Sequence, residues 1–204
     1  MVSFFVIEDH SLTNLGIRQL LMEQSGFECM GFAFKTDEAM QKLSELSETN
    51  NLPQILILDL FLGEASGIDI MREVCKKFPS IKILVYSMFA KPGIVSIALE
   101  NGAKGFVSKS APEPELLNAI KIVLGGESYV QQNLVPSLFT YRTMLDSFTK
   151  QEQKVFKLIL ERKSKSQIAD ELNIVSRSLE NYLSRIYSKT GCNGHEELIR
   201  KFGE

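Results

Sequence analysis

Apolar residues over the first 125 positions fall into two alternating patterns. Short runs at Phe4-Phe5-Val6-Ile7, Ile55-Leu56-Ile57-Leu58, Ile81-Lys82-Ile83-Leu84-Val85 and Gly105-Phe106-Val107 have the length and composition of buried strands. Phe27–Ala33 is a weaker fifth run. Between them, residues 12–25, 36–48, 67–78, 92–101 and 113–125 repeat apolar positions at helical spacing. Pro92 and Pro114 stand near two helix starts, and Gly102 and Gly125 near two ends. Five strand–helix units in succession predict an α/β domain over residues 1–126, a doubly wound parallel sheet with helices on both faces. Ligands of such sheets bind beyond the carboxyl ends of the strands.

After residue 126 the rhythm is lost. Gly126, Pro136 and several polar residues predict a linker over 127–146, with a short helix near residues 137–145. From Phe148 onward only helical spacing remains, at 150–161, 166–172, 176–190 and 195–202. Asn173-Ile174-Val175 separates the second and third of these, the tight joint of a helix-turn-helix. A second, smaller all-α domain over 147–204 is expected.

Charge sharpens this division. Residues 1–145 carry 12 Lys and Arg against 16 Asp and Glu, and residues 146–204 carry 11 against 9. An acidic module joined to a faintly basic one would suit a nucleic-acid partner for the second, although the excess is small for a strong DNA binder. With 44% hydrophobic and 24% charged residues the chain has the composition of a soluble globular protein. Met1 to His10 lacks a basic leader, and no apolar run approaches membrane-spanning length. Cys29, Cys75 and Cys192 are odd in number and widely spaced, which points to no disulfide framework or zinc site and to a reducing cytoplasm.

The candidate chemistry lies at the strand ends. Glu8 and Asp9 end the first strand, Asp59 the third and Ser87 the fourth, while Lys109 closely follows the fifth. All five converge on one sheet edge. Three acids packed together stay ionised only with a cation among them, and a hard divalent ion with oxygen ligands, magnesium, is the natural choice. Asp59 is then a nucleophile toward a phosphoryl group, Lys109 a counter-charge for its oxygens and Ser87 a hydrogen-bond donor. Taken singly, each residue also reads as a solvated loop or turn former. His10 and His195 are isolated, and no separate substrate-pocket motif supports an enzyme acting on its own substrate.

Glu8-Asp9, Asp59, Ser87 and Phe106-Val107-Ser108-Lys109 resemble the acidic pair, phosphoacceptor, switch hydroxyl, and aromatic with lysine of response-regulator receivers. The resemblance spans nearly the whole first domain. It implies a flavodoxin-like (βα)5 fold, a sensor histidine kinase as phosphodonor, an Mg2+ ion held by Glu8, Asp9, Asp59 and the Phe61 carbonyl, and an inward swing of Phe106 when Ser87 moves toward the phosphoryl group. For Phe106, a plain core aromatic is the competing reading. Phe61 and Phe89 lie two residues after Asp59 and Ser87, positions that flank the phosphoryl group in the family. Gly63 departs from the family's usual proline; Gly67, expected at the next turn, is present.

Phe148-Thr149-Lys150-Gln151-Glu152, Gln167-Ile168-Ala169, Ile174 and residues 178–183 are similar in order to the LuxR/NarL-type output domain. The resemblance implies double-stranded DNA as partner, a major-groove recognition helix at 176–190 and a homodimer formed on phosphorylation. Leu179, Leu183 and Ile186 fall at core spacing. Arg177, Ser178, Glu180, Asn181, Ser184, Arg185 and Lys189 are the candidate DNA contacts. Glu180 stands where the family keeps a lysine, Ser178 a threonine, Tyr182 a histidine, and Val175 the serine that caps the helix; Ser176 is placed to cap one residue later. Glu180 is thus either a specificity device that accepts from cytosine N4 or a sign that DNA binding has decayed and the helices bind protein instead.

Overall fold

The computed structural model describes residues 1–63 and 65–203. Their contacts group into two units, Met1–Met88 with Ala98–Gln131, and Phe89–Ile97 with the chain from Gln132 onward.

The strands are β1 (Val2–Ile7), β2 (Phe27–Ala33), β3 (Ile55–Leu58), β4 (Phe61–Leu62), β5 (Ala65–Ser66), β6 (Lys82–Ser87), β7 (Gly105–Ser108) and β8 (Tyr129–Val130). The helices between them are α1 (Ser11–Met22), α2 (Thr36–Glu48), α3 (Gly67–Lys77), α4 (Pro92–Glu100) and α5 (Glu113–Leu124). Six strands pair in parallel in the order β2-β1-β3-β6-β7-β8. The chain steps outward from β1 to β2, then returns to β3 on the other side of β1. That reversal opens the binding crevice of a doubly wound sheet at the ends of β1 and β3. Both strands are central, and Phe4 to Ile7 and Ile55 to Leu58 are at most 1% exposed, which is why they read as unbroken apolar runs. One face packs Phe4, Val6, Ile55, Ile57, Leu84 and Val107 against Ile17 and Leu21 of α1 and Leu116, Ile120 and Val123 of α5. β2 is the half-exposed edge, hence its weaker signal.

Two features depart from the expected pattern. Phe61↔Ser66 and Leu62↔Ala65 form a small antiparallel pair after β3. In that stretch Gly63 has φ +65°, a conformation closed to proline, whose ring fixes φ near −65°. The segment expected to be linker supplies β8, where Gly105↔Tyr129 and Phe106↔Val130 pair. Two residues are too few to show a period. Gln131 extends the join, its Oε1 accepting from the Ser108 amide at 2.8 Å.

The remaining chain is helical: a 3-10 turn at Gln132–Leu134, then α6 (Val135–Leu145), α7 (Lys150–Leu160), α8 (Lys165–Glu171), α9 (Ser176–Thr190) and α10 (His195–Leu198), which continues as a π turn at Ile199–Gly203. Tyr141 of α6 stacks on Phe156 of α7, which also meets Phe148 and Phe202. Capping boxes Thr149/Glu152 and Ser164/Gln167 start α7 and α8. The cap expected from Ser176 is not formed. Ser176 is the first helical residue, and Val175, which cannot accept a hydrogen bond through its side chain, is the N-cap of α9. Beneath α9, Lys189 Nζ bonds the buried Glu152 Oε2 at 2.6 Å and the Ser147 carbonyl at 2.8 Å.

Two predictions follow from this packing. A Cβ on Gly67 would lie 2.4 Å from Leu60 Cα and 2.6 Å from the Asp59 carbonyl, so Gly67→Ala should destabilise the first unit by about 1–3 kcal/mol and shift the backbone after β3. Unchanged denaturant midpoint and unchanged amide shifts at Asp59 and Leu60 would contradict this. In the second unit, burial pushes the Glu152 carboxyl up, but Lys189 and Thr149 outweigh it and hold it below the ordinary carboxylate range. A carboxyl lowered in the folded state contributes stability above its unfolded value and loses it as pH falls through the folded one. The melting temperature should therefore fall as pH drops below about 4, and Glu152→Gln should lose that part of the fall. A variant that titrates like its parent would exclude the pair as its source.

Candidate functional site

The carboxyl ends of four parallel strands bring the candidate residues to one edge. Asp59 follows β3 directly and is 4% exposed; Glu8 follows β1 and is 1% exposed; Ser87 ends β6 with no exposure. Lys109 follows β7, its amide bonded to the Ser87 carbonyl at 2.9 Å, and its side chain is 8% exposed. Each strand is locked to its neighbour up to these positions, so the side chains inherit the register of the sheet.

Lys109 Nζ lies 2.5 Å from both Asp59 Oδ2 and Glu8 Oε2. Ser87 Oγ donates to Asp59 Oδ1 at 2.7 Å, and the Phe61 amide reaches the same oxygen at 3.3 Å. Burial pushes the Glu8 carboxyl up despite Lys109. Burial also pulls the ammonium down, yet its bonds to the two acids win and hold its pKa above the ordinary lysine value. Asp9, partly exposed, is drawn to His10, whose Nδ1 lies 2.8 Å from Asp9 Oδ1 and 3.2 Å from Glu8 Oε1. Asp9 in turn raises the His10 pKa.

Glu8, Asp59, Ser87 and Lys109 are thus in direct contact, with Asp9 beside them. Among the described residues, Glu8, Asp9 and His10 offer ligand atoms within 4.8 Å of one another. Glu8 Oε2 is buried and has the Lys109 ammonium as its ion-pair partner at 2.5 Å. Glu8 and Asp9 form an acidic cluster of the kind that suits a divalent cation, whereas Asp59, also expected as a ligand, is not grouped with them and is held by Lys109 and Ser87. Chemically, Asp59 is a buried carboxylate whose oxygens already hold a hydroxyl and an ammonium, donors that match the oxygens of a phosphoryl group. Phe106 is fully buried on β7, its backbone paired with Val85 and Val130. His10 is the loop residue beside the acids that its place after Asp9 implies, and its bonding to both of them is the part that sequence alone does not show.

On α9, Leu179, Leu183 and Ile186 are buried. Arg177, Glu180, Asn181, Ser184 and Arg185 are exposed, and Ser178 is half-buried. Lys189 is exposed as well, but unlike the others its ammonium is already bonded to Glu152 and the Ser147 carbonyl. A contact absent from the sequence pattern joins Glu180 to Lys165, 15 residues earlier, at 2.8 Å.

Comparison with known proteins gives a consistent answer. The response regulator receiver domain matches residues 4–121, and the luxR family of bacterial regulatory proteins matches residues 146–202. The transcriptional activator protein ExaE of Pseudomonas putida is 29% identical, over 97% of this chain and 94% of its own. The oxygen regulatory protein NreC of Staphylococcus aureus is 30% identical, over 95% and 93%. RcsB of Salmonella enterica serovar Typhimurium, bound to a promoter in the presence of a phosphomimetic, shares the fold at a TM-score of 0.71 and 21% identity, over 98% of this chain and 97% of that one. A LuxR-family two-component response regulator from Aurantimonas matches 70% of this chain and 99% of its own at 26% identity and a TM-score of 0.63. The chain belongs to the response regulators, with an N-terminal receiver and a C-terminal domain of the luxR family.

Proposed function

We propose that the protein is a phosphorylation-controlled transcription regulator that takes a phosphoryl group on Asp59 from a sensor histidine kinase and binds double-stranded DNA as a homodimer. The observation that carries the reading is Asp59 itself, buried at a strand end and bonded at once to Ser87 and Lys109. Asp59 attacks the phosphorus of the donor, a P–O bond forms as the bond to the kinase histidine breaks, and the phosphoryl oxygens take over the Lys109 and Ser87 donors. Glu8, Asp9, Asp59 and the Phe61 carbonyl would hold Mg2+, which supplies charge neutralisation for the developing phosphoryl oxygens. Ser87 turned toward Asp59 and Phe106 fully buried are the paired positions of the proposed switch. The functional division follows residues 1–126, 127–146 and 147–204, with β8 and Gln131 prolonging the receiver sheet.

DNA as the target is supported by the luxR-family match, by ExaE being a transcriptional activator, and by the promoter-bound RcsB. Arg177, Glu180, Asn181, Ser184 and Arg185 are outward donors and acceptors of α9, with Ser178 at their edge. Arg177 and Arg185 serve the phosphates, and Asn181 is suited to adenine.

A small phosphodonor with magnesium should add one phosphoryl group to the protein, and Asp59→Asn should add none. Equal phosphorylation of the variant by intact mass would overturn the assignment. Phe61 and Phe89 stand two residues after Asp59 and Ser87, positions that flank the phosphoryl group in the family, where rings would hinder an attacking water. Phe61→Asn with Phe89→Glu should shorten the lifetime of the phosphorylated form several-fold, and an unchanged decay rate would exclude steric shielding.

A further inference from the structure

Glu180 places a carboxylate on the outward stripe of α9, three residues from Arg177 and four from Ser184, where helical spacing sets all three on one face. A bare acid there would oppose a polyanion. It is not bare: Lys165, the first residue of α8, donates its ammonium to Glu180 Oε1 at 2.8 Å, and the two side chains are 55% and 57% exposed. Ion pairs this exposed add little to folding, so the value of this one lies elsewhere. It joins the two helices of the helix-turn-helix at their solvent face.

We propose that Lys165 is a positioning residue of the nucleic-acid interface, which neutralises Glu180 and fixes the direction of its carboxylate. The pair carries the acid to the groove without net repulsion. Oε1 is held by the ammonium, and Oε2 keeps its lone pairs for a base amino group such as cytosine N4. The positive charge that the family places on the recognition helix at 180 comes here from the preceding helix, and an acceptor takes the helix position. The inference rests on reading α9 as a groove-facing helix.

The test is a salt titration of duplex binding by the full chain, treated with acetyl phosphate and magnesium, using a random-sequence duplex as probe. Lys165→Ala should weaken binding roughly threefold to tenfold at low salt, because Glu180 is left uncompensated. Glu180→Ala should tighten it, and release of Lys165 to a phosphate should steepen the log-log salt slope by about 0.9. The double variant should return close to the parent affinity, both charges being gone. Melting temperatures should be alike in all four proteins. If both single variants leave affinity and slope unchanged while the parent binds, the pair lies off the interface and this inference alone falls. If Glu180→Ala weakens binding, the acid acts without compensation and the positioning role is wrong. A parent that binds no duplex at any salt removes the DNA reading and this inference with it.

Discussion

A lysine ammonium held between two buried carboxylates is the interaction around which the first unit is arranged. Lys109 contacts Glu8 and Asp59 at the same distance, and taking three charged groups from water is tolerable only while each finds its partner. The cluster therefore demands accurate placement from three strands at once. The sheet provides it: β1, β3 and β7 are buried and locked in parallel register, and Gly67 lets α3 begin hard against the Asp59–Leu60 backbone. On the proposed reading, an added phosphoryl group would compete with Glu8 and Asp59 for the same ammonium and so would change which donor serves which oxygen.

The parts of this arrangement that were legible in the sequence are those with a period or an abrupt edge. β1 and β3 read as continuous apolar runs because both faces are covered, and the acids stand out because they end those runs. α9 runs from Ser176 to Thr190, the range over which helical spacing was expected, with Leu179, Leu183 and Ile186 on its buried face. What escaped had neither mark. β8 is two residues long, and the β4–β5 pair sits in a stretch that reads as a turn. The attachment of α6 to the helical unit depends on Tyr141 meeting Phe156 and Phe202, a tertiary contact with no local pattern.

Charge pairing was the least legible. Lys189 has the place of a phosphate donor near the end of α9, yet its ammonium pairs with the buried Glu152, because a buried carboxylate needs a cation more than an exposed face does. Glu180 puts an acid on the same helix, and Lys165 pairs with it. In both cases a residue on α9 is paired with one on an earlier helix, and neither partner can be inferred from helical spacing.

The missing cap at Val175 also gives α9 unequal ends. Its last turn is held by Lys189 to Glu152 and closed by Gly191 in the left-handed conformation, while its first turn has backbone amides that no N-cap side chain satisfies. Opening that first turn breaks fewer bonds than opening the last, so amide hydrogens near residues 176–178 should exchange sooner than those near 186–190. The helix is anchored at its C-terminal end, while the first turn, where Arg177 and Ser178 stand, is held by no capping side chain and opens at lower cost.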